Sequence, residues 1–250
     1  MKRVILLIPI VLALMALSLR WVIPENVDFK YWKCDEYCER SNECTDTLTN
    51  IPAQPANTYS NILYLLAGLA ALLRRRKLAS VTFATACVIL FVGSSWFHAL
   101  ISESGQLADV IGMYCVFSFL ASYAVVTTQN LHQRYWLATL LAILVAVPLS
   151  LFANRLSSTP VLIITVLIVA GNIILALICK KQSGKKALVI LGLFILAFLF
   201  RQLDVTGTLC NPGSWFQGHA VWHVLCGIGI YTVFRFFHDI RTASSVSSAG

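Results

Sequence analysis

Long apolar stretches separated by short polar segments make up most of the chain. An α-helix needs roughly 20 residues to cross a hydrocarbon core about 30 Å thick, so stretches slightly shorter than this have to include flanking residues. The pattern predicts an all-α polytopic membrane protein, a seven-transmembrane-helix bundle with an additional N-terminal hydrophobic helix. The eight stretches are residues 4–19, 57–73, 78–100, 107–127, 135–153, 159–179, 187–203 and 219–237.

This pattern divides the chain into four segments. We predict a signal anchor or extra transmembrane helix at 1–22, an outer acidic, Cys-containing loop at 23–56, a seven-helix transmembrane domain at 57–237 and a cytoplasmic tail at 238–250. Lys2 and Arg3 before a short apolar run are typical of a signal peptide, but residues 17–21 lack a small-x-small cleavage site. An uncleaved anchor is therefore favoured.

The composition excludes a soluble protein. Hydrophobic residues make up 58% of the chain and charged residues 12%, with a mean hydropathy of +0.77. So few charges cannot cover a water-facing surface of this size. The net charge of +8 would suit nucleic acid, but the basic residues form short clusters between apolar runs, which is typical of membrane topology. We predict no nucleic-acid partner.

The basic residues also predict the orientation of the chain. If Lys2 and Arg3 are cytoplasmic, alternating spans place 13 of the 19 basic residues on that side and ten of the 11 acidic residues on the other. Cytoplasmic loops carry an excess of Lys and Arg. The outer loops and any site near them are therefore expected to face the periplasm, an organelle lumen or the exterior, with the C-terminus in the cytoplasm.

Four of the eight cysteines fall in the outer segments: Cys34, Cys38, Cys44 and Cys210. An oxidising compartment would allow them to form two disulfides, with three possible connectivities. A metal knuckle of the first three is an alternative, although no histidine accompanies them. The other four cysteines lie within spans and are interpreted as small core residues.

Polar residues within the spans converge on one membrane depth. Ser94 and His98 are four residues apart near the outer end of one predicted helix, and Asp109 lies at the outer start of the next. His219 and His223 are also four residues apart, in the first turns of the last helix. Residues at i and i+4 share a helix face, and ionisable residues inside a membrane are usually functional.

Three imidazoles at one depth suggest zinc. A catalytic zinc site typically uses three protein ligands and leaves a fourth position open, and His98, His219 and His223 would supply the three. Asp109 could then act as the base and Ser94 as a hydrogen-bond donor to an oxyanion. Other interpretations stay open: histidines bonded to neighbouring helices, Ser94 as a packing residue, and Asp109 as a helix cap.

These residues give the chain a resemblance to a known family. Ser94-x-x-x-His98 with Asp109 eleven residues later, and His219-x-x-x-His223 followed by two glycines, resemble the alkaline ceramidase family, which belongs to a superfamily of seven-helix membrane hydrolases that includes adiponectin-receptor-like proteins. The resemblance implies one zinc held by the three histidines and a water activated by it that attacks a lipid amide. It also implies that Asp109 transfers the proton and that Ser94 stabilises the oxyanion.

The same resemblance implies a calcium site in the outer segment. Its expected ligands are Glu36, Tyr37, Glu39, Ser41 and Gln54. Two of them depart from the family pattern, because Gln54 stands where a carboxylate is usual and Ser41 where an amide is usual. The resemblance further implies a disulfide between Cys38 and Cys210, which leaves Cys34 and Cys44 as a second pair.

The sequence thus predicts a zinc-dependent intramembrane amidase of sphingolipid metabolism, which cleaves ceramide or a related lipid amide into a fatty acid and a long-chain amine. The polar head of the lipid could meet Arg201, Gln202 or Asp204 at the outer end of the sixth core helix. Two alternatives stay open, a zinc hydrolase of an ester or phospholipid and a receptor-like protein with structural zinc. The predicted partner is a membrane lipid, and the sequence indicates no protein partner.

Overall fold

A computed structural model describes the chain as a bundle of α-helices. It describes residues 37–39, 52–74, 77–129, 136–152, 158–179 and 184–247. These residues contain no β-strand. The helices are α1 (Pro55–Ser60), α2 (Ile62–Arg74), α3 (Leu78–Leu100), α4 (Glu103–Thr128), α5 (Trp136–Leu151), α6 (Ser158–Cys179), α7 (Gly184–Val205) and α8 (Gly218–Ser247).

The helices match the predicted seven-helix core. Taken together, α1 and α2 correspond to the first core span, and α3 to α8 correspond to the other six. Five helical stretches in the described residues are long and apolar enough to cross a membrane, and α5 and α6 add two shorter apolar stretches. The prediction of an all-α polytopic membrane protein is confirmed. The predicted anchor at 1–22 lies outside the described residues, as does most of the outer loop.

Two boundaries differ from those expected. The last helix continues to Ser247, past the end of the predicted span at 237, so the first part of the predicted tail is helical. The helix α4 begins at Glu103, four residues before the predicted apolar span. Its first turn is polar, and Ser102 caps it. The Ser102 hydroxyl accepts a hydrogen bond from the Gly105 amide at 3.1 Å. Hydropathy alone does not detect such a turn.

Glycines allow α3 and α4 to pack closely. A Cβ on Gly93 would lie 2.4 Å from the Ala108 carbonyl oxygen, and one on Gly112 would lie 2.5 Å from the Leu90 Cα. Small residues let membrane helices approach until their backbones touch. Because Gly93 precedes Ser94 and Ala108 precedes Asp109, this contact brings the two predicted catalytic residues together.

Glycines also seat α8 against its neighbours. A Cβ on Gly227 would meet Leu63 of α2 at 2.7 Å, and one on Gly229 would meet the Phe194 ring of α7 at 2.9 Å. The packing of α8 between α2 and α7 fixes the direction in which its histidines point. Deeper in the bundle, stacked aromatic rings fill the core between α3, α4 and α8, among them Phe83 and Phe234 with ring centroids 4.6 Å apart.

Candidate metal centre

Three histidines from two helices converge near one end of the bundle. His98 lies at the end of α3, and His219 and His223 lie in the first two turns of α8. One ligand atom from each lies within 4.8 Å of those of the other two. The three residues are 0%, 4% and 3% exposed, respectively. The structure therefore brings together the three predicted zinc ligands.

The end of α3 is covered by the segment that leads into α1. The chain leaves α3 through Ile101, whose φ of 44° is in the left-handed region. The amides of Ala53 and Gln54 then donate to the carbonyls of Ala99 and His98, at 2.9 and 3.0 Å. The last carbonyls of a helix have no partner within it, so these bonds satisfy them. As a result, the side chain of Gln54 lies beside the His98 ring.

Gln54 determines which nitrogen of His98 is available to a metal. The His98 Nδ1–H donates to the Gln54 Oε1 at 2.7 Å, an atom that can only accept. The lone pair is therefore on Nε2, which is buried and has no hydrogen-bond partner among the described residues. An acceptor on the far nitrogen is the usual device that fixes the tautomer of a metal-binding histidine.

His223 is held in a similar way from α1. Its Nδ1 lies 3.1 Å from the Asn57 carbonyl oxygen and 2.9 Å from the Ser60 hydroxyl oxygen. A carbonyl oxygen accepts only, so Nδ1 carries the proton and Nε2 keeps its lone pair. Both acceptors lie in a six-residue helix that precedes the first long span. The short helix α1 thus orients a ligand that belongs to the last helix.

His219 is positioned through its backbone. Its amide donates to the Asp204 Oδ2 at 3.0 Å, and the Cys38 amide donates to the Asp204 Oδ1 at 3.0 Å. A Cβ on Gly218 would lie 2.5 Å from the Phe200 carbonyl oxygen, so only glycine fits at this contact between α7 and α8. The Nδ1 of the His219 ring is buried and has no partner among the described residues.

Tyr37 covers two of the histidines. Its ring centroid lies 4.0 Å from that of His219 and 5.4 Å from that of His98. The neighbouring residue forms the Cys38–Cys210 disulfide, which confirms the bridge that the family resemblance implied. The proposed second pair, Cys34 and Cys44, lies outside the described residues. The disulfide and the Asp204 carboxylate together hold the Tyr37 segment against the cluster.

Asp109 and Ser94 form a pair beside the cluster. The two side chains are hydrogen-bonded to each other, and Asp109 also interacts electrostatically with Tyr64. The Tyr64 ring in turn lies 5.9 Å from that of His223. Asp109 lies two turns into α4, whose cap is Ser102. The alternative in which Asp109 caps its helix is therefore wrong, because the helix begins earlier than its apolar stretch.

The cluster fits a metal ion. Buried nitrogens without hydrogen bonds are costly unless something else satisfies them, and here the His98 Nε2 and the His219 Nδ1 are both in this state. Tautomers are fixed by acceptors on the far nitrogens of His98 and His223. Among the described residues no fourth His, Cys, Asp or Glu joins the group. Within the part of the chain that the structure describes, the cluster therefore offers three ligands to a bound ion.

The predicted calcium set is only partly described. Glu36 and Ser41 lie outside the described residues. The Glu39 carboxylate oxygens accept hydrogen bonds from the amides of Ala56 at 2.6 Å and Asn57 at 2.8 Å, which caps α1. The Gln54 side-chain oxygen accepts a hydrogen bond from His98, and the Tyr37 ring contacts the rings of His98 and His219. These contacts give the three described members structural roles beside the cluster, and calcium binding stays a prediction.

Several residues around the histidine cluster had no predicted role there. Most of them are polar residues of the first span, and one is an acid at the end of α7. The spacing of Gln54, Asn57 and Asn61 at i, i+3 and i+7 placed them on one helix face and could have signalled a buried polar surface. The residues without a predicted role at the cluster are Asn57, Ser60, Asn61, Tyr64 and Asp204. Asp204 was expected at the lipid head group, and its carboxylate instead accepts hydrogen bonds from two backbone amides.

Comparison with known proteins agrees with this site. The family model for ceramidase matches residues 35–249, a range that contains all three histidines, Ser94, Asp109 and both disulfide cysteines. A comparison with curated proteins finds no match. Because the family match covers most of the sequence, the chain belongs to the ceramidase family and is a membrane hydrolase that acts on the amide bond of ceramide.

Proposed function

We propose that the chain is a zinc-dependent intramembrane amidase, in which His98, His219 and His223 hold the ion. The observation that carries this proposal is the convergence of three buried imidazoles, with ligand nitrogens within 4.8 Å of one another. Cleavage of the ceramide amide comes from the family match. The proposal adds the identity of the metal, the residues that bind it and the role of each catalytic residue.

Zinc suits this set of donors. It binds imidazole nitrogen readily, and catalytic zinc sites use three protein ligands and keep one position open. When bound, the ion supplies a Lewis acid that polarises a carbonyl and lowers the pKa of water. A structural zinc would need a fourth protein ligand, and the described residues offer none in the cluster. This favours the enzyme over the receptor-like alternative.

Asp109 is proposed to move the proton. In amide hydrolysis the C–N bond breaks, the oxygen of water joins the acyl carbon, and the amine leaves with a proton. A carboxylate that takes a proton from water and returns it to the amine serves both halves of the reaction. Asp109 is half-buried next to the histidine cluster, with Tyr64 near both it and His223, and this position supports the role.

Ser94 is proposed to act together with Asp109. Its hydroxyl is hydrogen-bonded to that carboxyl group, and Gly93 brings the two helices into contact at this level. A hydroxyl that donates to the carboxylate fixes its orientation, which is a requirement for efficient proton transfer. Stabilisation of the oxyanion, the role that the resemblance implied, needs the hydroxyl to turn toward the substrate.

The site is proposed to face the outer side of the membrane. The distribution of basic residues predicts that orientation, and the Cys38–Cys210 disulfide next to the cluster supports it because disulfides persist in oxidising compartments. A ceramide-like lipid already resides in the bilayer. Its amide could reach a site at this depth from the lipid phase while water enters from the outer face.

Metal analysis combined with turnover tests the proposal. Purified chain should contain one zinc per molecule and release fatty acid from labelled ceramide. His223→Ala should lose both, and Asp109→Asn should lose turnover while keeping the metal. His238→Ala is the matched control, because His238 is a buried histidine of the same helix that lies outside the metal group. It should retain the zinc.

The same assay separates the substrate alternatives. Labelled ester and phospholipid analogues with matched acyl chains should react more slowly than ceramide if the amide is the preferred bond. Folded protein that carries zinc but cleaves none of these lipids would contradict the enzymatic proposal. Protein that is active after complete removal of zinc would contradict the metal assignment and leave the family activity intact.

A further inference from the structure

Arg201 lies on the face of α7 that packs against α8. The buried residues Ile190, Ala197 and Asp204 mark this face, and Phe194, which contacts Gly229 of α8, continues it. Arg201 is four residues after Ala197 and three before Asp204, so it belongs to the same stripe. The outward face of α7 carries large exposed apolar residues instead, among them Leu196, Phe198 and Leu199.

Arg201 lies at the same depth in the bundle as the histidine cluster. The next turn holds Asp204, which binds the His219 amide, and the preceding carbonyl, of Phe200, lies against Gly218. The guanidinium interacts electrostatically with the side chains of His219 and Cys226. These two residues are seven apart on α8, so the cation faces the same side of α8 as the metal-binding histidines.

No carboxylate in the described residues pairs with Arg201. Its only hydrogen bond there runs from Nη1 to the Gln202 Oε1 at 3.3 Å. Arg235, an arginine of the last span, has a partner, because its Nη2 lies 3.0 Å from the Asp239 Oδ1. Ionisable residues within membrane spans usually pair with one another or mark a substrate or ion pathway, so Arg201 is a candidate ligand contact.

We infer that Arg201 binds a lipid carboxylate next to the histidine cluster. The guanidinium presents planar, paired donors that match the two oxygens of a carboxylate. Two sources supply this chemistry: the fatty acid that hydrolysis releases, and an acidic head group on an N-acyl lipid substrate. The inference deepens the proposed function, on which it rests, by naming the chemical class that the site recognises beside the amide.

Equilibrium binding of matched lipids to the zinc-loaded full chain in detergent tests the inference without any turnover. Palmitate is compared with hexadecanol, and N-palmitoylglycine with N-palmitoylethanolamine, so that each carboxylate has a neutral partner of similar length. Arg201→Gln should weaken binding of at least one carboxylate by about ten- to a hundredfold, the range for hydrogen bonds to charged groups. The neutral lipids should bind as they do to the unchanged protein.

Two further variants sharpen the result. Arg201→Lys keeps the charge but removes the paired donors. Its affinity for the carboxylate should therefore lie between that of the unchanged protein and that of Arg201→Gln. Arg235→Gln removes the same charge from an arginine with a partner, and it should leave all four affinities unchanged.

Each outcome has one meaning. Selective loss of palmitate binding assigns the carboxylate to the product, and selective loss of N-palmitoylglycine binding assigns it to the substrate head group. If Arg201→Gln weakens neither carboxylate, or weakens each neutral partner equally, the inference is overturned. A chain that binds palmitate through Arg201 yet never cleaves ceramide would reject the proposed function instead, so the two failures are distinguishable.

Discussion

The Asp204 carboxylate accepts a hydrogen bond from the backbone amide of His219, at 3.0 Å. Its other oxygen accepts one from the Cys38 amide, also at 3.0 Å, and the side chain is 2% exposed. One buried acid therefore joins the end of α7, the start of α8 and the segment that holds the Tyr37 ring over the cluster. We interpret Asp204 as a positioning residue, because it acts on the metal centre only through the backbone of a ligand.

Asp204→Ala is expected to weaken zinc affinity by about ten- to a hundredfold, the usual range for residues that orient metal ligands. Asp204→Asn keeps one acceptor oxygen and should give a smaller loss. Chelator competition on the purified protein measures both affinities. The control Gln202→Ala alters the same turn of α7 without touching these amides. A folded Asp204→Ala protein with unchanged zinc affinity would contradict the assigned role.

Gln54 is expected to control zinc binding through His98. Gln54→Met keeps the size of the side chain but removes the acceptor for the His98 Nδ1–H, so zinc affinity should fall by about ten- to a hundredfold. Gln54→Glu keeps an acceptor and should bind zinc at least as tightly as the unchanged protein. Chelator competition again measures the affinity. Equal affinities in the Met and Glu variants would show that this hydrogen bond has no influence on the metal.

Ser94 and Asp109 are expected to act as one unit. Asp109→Asn should lower kcat/KM by about 10²–10⁴-fold, the range for general acid–base catalysis, and Ser94→Ala should lower it less. If Ser94 acts through Asp109, the double variant should be no slower than Asp109→Asn alone. Losses that multiply would instead indicate an independent role of Ser94, such as oxyanion stabilisation. Zinc content should stay at one per chain in all three variants.

Glu39 is expected to stabilise the fold as a helix cap. Because its carboxylate accepts the amides of Ala56 and Asn57, Glu39→Ala should cost about 1–2 kcal/mol of stability. Thermal unfolding in detergent, with calcium and with a calcium chelator, measures the loss. The cap predicts the same loss in both conditions. A stabilising effect of calcium that disappears in Glu39→Ala would support the predicted calcium site instead.

The Cys38–Cys210 disulfide is expected to stabilise the fold. It closes a long loop across the chain, and removal of a native disulfide typically costs about 2–5 kcal/mol. Cys38→Ser, Cys210→Ser and the double variant should lower the unfolding temperature to a similar extent, because each removes the same bond. Cys179→Ser is the control, since Cys179 is an exposed free thiol. A larger loss in the double variant than in either single variant would contradict this account.

The hydrophobic pattern predicted the core helices well. Spans such as Leu78–Leu100 match the sequence prediction residue for residue, because a membrane helix must satisfy its own backbone and present apolar side chains along its full length. The predicted start of α4 was wrong by four residues, because its first turn is polar and is stabilised by the Ser102 cap. Hydropathy measures burial in lipid and contains no information on such caps.

The fold class, the membrane setting and the three histidines follow from the sequence alone, because ionisable side chains in apolar helices are rare and their spacing places them on one face. The groups that orient those histidines depend on how the helices pack. Gln54 reaches His98 across 44 positions and Asp204 reaches Cys38 across 166, so no local pattern links them. They meet because helix packing brings buried donors to the acceptors that satisfy them.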